Sequence, residues 1–427
     1  MRSALADPAP GRPDRSRRPH RAVTLGALLL TTALLLVGCS GNTSIPPPVA
    51  SKDTSDARTS AAASTLDALT SALATGDGSA AAGLGIAGSR DLLRSAAANV
   101  TALHLVDLSL RFVDDGSPTA ADDSAFGPDS WQATVEVGYR IRDWDTGRTR
   151  LETTFTFVPT TAGQVVAAIG GSSGRTPLWL SGPVTPLVAG RTLVVARSAS
   201  GPRYSRLATR AVVAVDKVLP SWKGKLVIEA PSTEDELDHA LGTTQEQYAN
   251  IAAVTATVDG SLVRTAPVHV FLNPRVFDAL GPRGSQVVIS HESTHVATKA
   301  TFASMPTWLL EGFADYVALA HAGIPVGTAA SQILAKVRRS GPPTALPTTA
   351  DLDPTANGLG ATYEEAWLAN RFIARQFSEK KLVQFYGAVD RGATATAAFR
   401  SVLHTTEQAF VKSWSADVKA LSRGVAG

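Results

Sequence analysis

The residues of this 427-residue chain best suited to chemistry are His291-Glu292-Ser293-Thr294-His295, an H-E-x-x-H pattern. A chance match is expected only about 0.004 times in a chain of this composition, so the pattern is specific. The lead-in Gln286-Val287-Val288-Ile289 and the continuation Val296-Ala297 predict a helix through it. On a helix, positions i and i+4 lie on one face a turn apart. His291 and His295 can therefore aim both imidazoles at one ion, with Glu292 offset beside it. Zinc takes nitrogen ligands at ~2.0–2.1 Å and keeps a water position open when the protein supplies three ligands.

A third ligand is expected downstream. The run from Trp308 to Tyr316 opens a second helix after Pro306, with Thr307 expected as its N-cap. Glu311 lies 16 positions after His295, with room for a loop and a helix start, and would complete a His₂Glu site. Asp315, four residues on, shares its face and is expected to accept the free N–H of a ligand histidine, fixing its tautomer. Gly312 is expected to let this helix approach the H-E-x-x-H helix closely.

Over residues 291–377 the chain resembles the gluzincin metallopeptidases, the group that includes thermolysin-like and aminopeptidase-N-like enzymes. Their zinc ligands match His291, His295 and Glu311, and their general base matches Glu292. The E-G-x-A-D-Y run at residues 311–316 looks closest to the aminopeptidase-N side. That side carries a tyrosine in a Y-E-x-G run that stabilises the oxyanion. Tyr363-Glu364-Glu365-Ala366 is similar, with alanine in place of the glycine. The resemblance implies one Zn²⁺, a peptide or protein substrate, and hydrolysis in which Glu292 takes a proton from zinc-activated water while Tyr363 donates to the oxyanion. No clear counterpart of the exopeptidase G-x-M-E-N strand is found, and Val268 to Asn273, at the corresponding place, lacks its glutamate.

The elements that must position these residues form an α+β chain. Helical spacing at 66–73 and 89–100 precedes strand-like segments at 103–112, 131–142, 149–159 and 164–169. This predicts an α+β domain over 64–190, loosely resembling nuclear-transport-factor-2-like or cystatin-like sheets. A second domain, 202–424, is expected to be of gluzincin type, with a small sheet and a mainly helical second half. Its helix over 232–241 has Ser232 as the expected N-cap. Residues 251–258 or 268–273 would be an edge strand that pairs with extended substrate, and the loop at 341–361 a lid or specificity wall. Gly83 to Gly88 matches G-x-G-x-x-G and Gly170 to Gly174 matches G-x-S-x-G. Neither has the strand–turn–helix setting its chemistry needs.

The N-terminus predicts where the chain works. Six arginines and two aspartates precede an apolar run at 22–37, as in an export signal spanning residues 1–38. Leu36-Val37-Gly38-Cys39 resembles the bacterial lipobox, and Cys39 is the sole cysteine. The resemblance implies lipidation of Cys39 and anchoring to the outer face of the cytoplasmic membrane. Residues 39–63, rich in Ser, Thr, Ala and Pro, are expected to form a flexible tether. Removing residues 1–38 takes +4 from a net charge of +3, so the body is near neutral. That argues against nucleic-acid binding, and a single cysteine excludes disulfides and multi-cysteine zinc sites. The alternative reading is a catalytically inactive zinc- or peptide-binding envelope lipoprotein that retains the peptidase fold.

Overall fold

The structure is a computed structural model that describes residues 51–424 apart from 117–123, 128, 162 and 354–355. The expected export signal, Cys39 and the start of the tether lie outside the described residues. Helices α1 (Ser51–Thr75), α2 (Gly78–Gly83) and α3 (Arg90–Ala102) precede an antiparallel sheet. Its strands β1 (Leu105–Asp115), β2 (Trp131–Ile141), β3 (Thr149–Thr160) and β4 (Gly163–Gly174) lie in sequence order. On β2, Trp131, Ala133, Val135, Val137, Tyr139 and Ile141 alternate with less buried residues, Gly138 excepted, and put one face into a core. Leu66, Leu69 and Leu73 of α1 and Leu93, Ala97 and Val100 of α3 reach the same core at helical spacing.

The expected tether is overturned from Ser51 onward, because residues 51–63 are the first turns of α1. Their Ala/Ser/Thr composition has no apolar period to reveal a helix. Tertiary contacts supply what the pattern lacks. Ala62 is fully buried, and Arg58 lies over the Trp131 ring at 4.4 Å while pairing with Asp115 at 2.8 Å.

The second sheet contains β5 (Thr185–Ala189), β6 (Thr192–Ala196), β7 (Leu226–Ala230), β8 (Ala253–Thr257) and β9 (Val268–Leu272), in the order β5-β6-β7-β9-β8. β6, β7 and β9 run parallel, and β5 and β8 flank them antiparallel. The chain is thus mixed α and β, with one antiparallel and one mixed sheet. Of the two edge-strand alternatives, β8 is at the edge and β9 is interior. The interior strands are covered on both faces. Leu193, Val195, Val227 and Phe271 face the first core, while Val194, Leu226, Ile228, Val270 and Leu272 face helix α4 (Gly201–Val218) and the later helix at Pro282–Thr298.

The expected division near 190–202 also needs correction. β5 already pairs with β6, so the change of sheet falls between Gly174 and Thr185, and that stretch is not a loose linker. Leu178, Trp179 and Leu180 are buried there, and Asn99 Nδ2 donates to the carbonyls of Trp179 and Gly182, both at 2.8 Å. His269 on β9 is also sandwiched between Glu229 of β7 and Asp145 of the β2–β3 turn, at 2.8 and 3.0 Å.

Helix α5 (Glu234–Leu241) is capped by Thr233, whose hydroxyl accepts from the Glu236 amide, rather than by Ser232. Ser232 instead donates to the Glu236 carboxylate. The helical second half follows: α6 (Pro282–Thr298), α7 (Thr307–Ala320), α8 (Ser331–Ser340), α9 (Leu359–Phe377), α10 (Glu379–Asp390), α11 (Ala395–Ser401) and α12 (Glu407–Ser422). Thr307 is the first residue of α7 and not its cap; its hydroxyl bonds Thr349 at 3.0 Å. No described helix is long and apolar enough to cross a membrane.

Candidate metal centre

α6 begins at Pro282, where a missing amide costs nothing, and ends at Lys299 in the left-handed conformation. Ile289 anchors it in the core against the second sheet, and Ser293 and Thr294 turn their hydroxyls back to the carbonyls one turn earlier. That leaves His291 and His295 on the opposite side, with ring centroids 4.6 Å apart and Nε2 atoms 2.9 Å apart. Two ring nitrogens this close need one shared proton or one cation between them.

α7 brings the carboxylates. Leu309, Phe313 and Val317 bury its other face in the helical core, so Glu311 and Asp315 turn toward α6. Glu311 Oε2 lies 3.2 Å from His291 Nε2 and 3.6 Å from His295 Nε2. Asp315 Oδ1 lies 2.7 Å from His291 Nδ1. With that nitrogen protonated and donating to Asp315, Nε2 presents its lone pair to the cluster.

Gly312 has a different partner from the one expected. A Cβ there would fall 2.3 Å from the Ala366 carbonyl oxygen and 2.4 Å from Asn370 Nδ2, so the glycine lets α7 press on α9 rather than on α6. This close approach matters for the site, since α9 carries Tyr363 into the same cleft.

His291, His295 and Glu311 form a possible metal-binding triad, with one donor atom from each lying within 4.8 Å of the others. Tetrahedral donors ~2.0–2.1 Å from one zinc ion lie roughly 3.3–3.4 Å apart. The observed separations of 2.9, 3.2 and 3.6 Å straddle that value, and two imidazoles plus a carboxylate suit zinc.

The cluster's electrostatics follow from burial and charge. Burial opposes ionisation of Glu311, but hydrogen bonds from His291 and His295 outweigh it and hold the carboxyl well below its usual range. Burial likewise opposes protonation of His291, and Asp315 and then Glu311 outweigh it, holding the imidazole well above its ordinary value. Glu292 moves upward because burial prevails over the nearby histidines and a hydrogen bond from Thr255. The Tyr363 phenol is raised by burial and then by Glu311, Asp315 and Glu292, so it stays a neutral donor.

The triad opens into a cleft of about 610 Å³ bordered by β8 and the preceding residues 250–252. Its walls are largely apolar, with Val254, Val287, Val288, Leu310 and Leu359, and Glu292, Asp315 and Tyr363 all line it. All six residues expected at the site from sequence therefore come together. His269 does not line this cleft; it is 1% exposed in the clamp between the sheets. His321 lies exposed beyond the end of α7 and lines a separate cleft.

Sequence reasoning missed Thr255. Its hydroxyl lies 2.6 Å from Glu292 Oε2 and 3.1 Å from the Glu292 carbonyl oxygen. A threonine within Val-Thr-Ala-Thr carries the ordinary signal of a strand and nothing more. No family model matches the chain, and no curated protein matches it.

Proposed function

We propose that this chain is a zinc metallopeptidase of gluzincin type, exported and held by lipid on Cys39 to the outer face of the cytoplasmic membrane. The observation that carries the reading is the convergence of three ligand atoms from two helices beside a buried carboxylate, at the wall of a cleft bordered by a free strand edge. His291, His295 and Glu311 would hold the ion. When bound, zinc supplies a Lewis acid that polarises a carbonyl and brings the pKa of water toward ~7.

The chain's own residues divide the remaining work. Glu292, one residue from His291 and 9% exposed, takes the proton of the attacking water and returns it to the leaving amine. Burial favours the protonated carboxylic acid that the second transfer requires. Tyr363, kept neutral, donates to the developing oxyanion, where loss of one donor costs about 2.7–4 kcal/mol. Asp315 holds His291 with Nδ1 protonated and Nε2 free to ligate. Among the described residues no strand pairs with the outer edge of β8, which an extended peptide would join.

The test is cleavage of a peptide library with and without chelator, beside metal analysis. Chelator-sensitive cleavage by a chain holding one zinc supports the reading. Glu292→Gln is expected to keep the metal and lose turnover. Metal-bound, peptide-binding protein without cleavage would instead identify a binding lipoprotein that retains the peptidase fold.

A further inference from the structure

We infer that Thr255 is the positioning residue for Glu292 and ties the general base to the edge strand β8; this rests on the peptidase reading above. The Thr255 hydroxyl has one hydrogen and two acceptors within reach, Glu292 Oε2 at 2.6 Å and the Glu292 carbonyl oxygen at 3.1 Å. The shorter distance is that of an O–H···O⁻ bond, so the proton is given to the carboxylate. Oε1 has no hydrogen-bond partner among the described residues, which leaves one carboxylate oxygen held and the other available to a water.

The placement of Thr255 follows from strand geometry. Val254 and Ala256 pack toward the first core, whereas Ala253 belongs to the core that includes Ile289 of α6. Successive strand residues face opposite ways, so Thr255 shares the face of Ala253 and points at α6. Its backbone is held by pairing with Val270 on β9. Glu292 has three side-chain torsions and rides on a helix; Thr255 has one and rides on a sheet. The hydroxyl thus confines the longer side chain from an independent, stiffer element. The same strand supplies the free edge on which an extended peptide would pair, so substrate seating and base orientation share one element.

Valine at position 255 replaces the hydroxyl by a methyl of similar shape and suits a strand, so Thr255→Val should fold. Three proteins are compared: wild type, Thr255→Val and Thr255→Ser. Thr255→Val is expected to lower kcat by about 10–100-fold with KM within about twofold, the effect of misplacing a reacting group. Thr255→Ser, which keeps the hydroxyl, is expected to recover most of that loss. Zinc content, chelator competition and the urea midpoint should match wild type in both variants. Crystal structures should show the Glu292 carboxylate displaced only in Thr255→Val. An unimpaired Thr255→Val beside an active wild type overturns this proposal alone. So does a kcat loss that follows lost zinc or stability, or one that serine does not rescue. A wild type without chelator-sensitive turnover overturns the peptidase reading, and this role with it.

Discussion

His269, in the clamp between the two sheets, should make the stability of this protein depend on pH. It is 1% exposed and hydrogen-bonded to Glu229 at 2.8 Å and to Asp145 at 3.0 Å. Burial works against the imidazolium, but Asp145 and Glu229 outweigh it and lift the pKa from 6.5 to about 9. A histidine whose pKa is raised by folding contributes its full stabilisation below the unfolded value and loses it as pH climbs through the folded one. The contribution is therefore complete below pH ~6.5, shrinks toward pH ~9 and is gone above it. At ~1.36 kcal/mol per unit, the shift amounts to about 3 kcal/mol, with little solvent screening to discount at so buried a site. His269→Gln leaves two buried carboxylates without their counter-charge and should cost about 3–5 kcal/mol at pH 7. Urea denaturation of wild type and variant from pH 7 to pH 10 reads both effects. The gap between them should narrow by about 2–3 kcal/mol across that range, and the metal cluster's own titration cancels in the difference. A gap that stays constant from pH 7 to pH 10 would show that His269 is neutral in the folded protein and refute the reasoning.

Two further substitutions test the geometry around the triad. Asp315→Asn should weaken zinc binding about 10–100-fold in chelator competition while leaving the fold intact, because it removes the anion that orients His291; unchanged affinity would remove Asp315 from the site. Gly312→Ala inserts a methyl 2.3 Å from the Ala366 carbonyl and should cost about 1–3 kcal/mol in thermal or urea unfolding, as α7 and α9 are forced apart. An alanine variant as stable as wild type would mean that the helices are not in contact there.

Much of the candidate site was legible because its information is local. The i, i+4 spacing of His291 and His295, and of Glu311 and Asp315, puts each pair on one helical face whatever the surroundings. Proline before α7 and the apolar spacing within it marked a second helix soon enough after the first to lie against it. The four strands of the first sheet were likewise visible, as were β8 and β9 of the second, whereas β5 and β6 were not expected as strands. What went astray was set by contacts between distant segments. Residues 51–63 belong to α1, where Arg58 and Ala62 meet the first sheet and its core, and the Ser/Ala-rich sequence there reads equally well as a tether. Gly312 declares close packing but not its partner, and that partner is α9. Residues 185–189 fell inside the expected first domain, since nothing in Thr185–Ala189 says that it forms a strand of the second sheet.

Periodicity tells which side of a helix or strand is to be covered, and residue chemistry tells what that side can bind. From those two alone come the paired candidate site residues on α6 and α7, the α+β class and the near-neutral body. Neither says which covered faces meet, because that depends on the shapes and volumes of segments far apart in the chain. Folding alone brought Glu311 within 3.2 Å of an imidazole, set Thr255 against Glu292 across 37 positions, and left β8 rather than β9 at the sheet edge. Packing in the interior, with its cost for every void and unpaired charge, chose among the arrangements that local pattern left open.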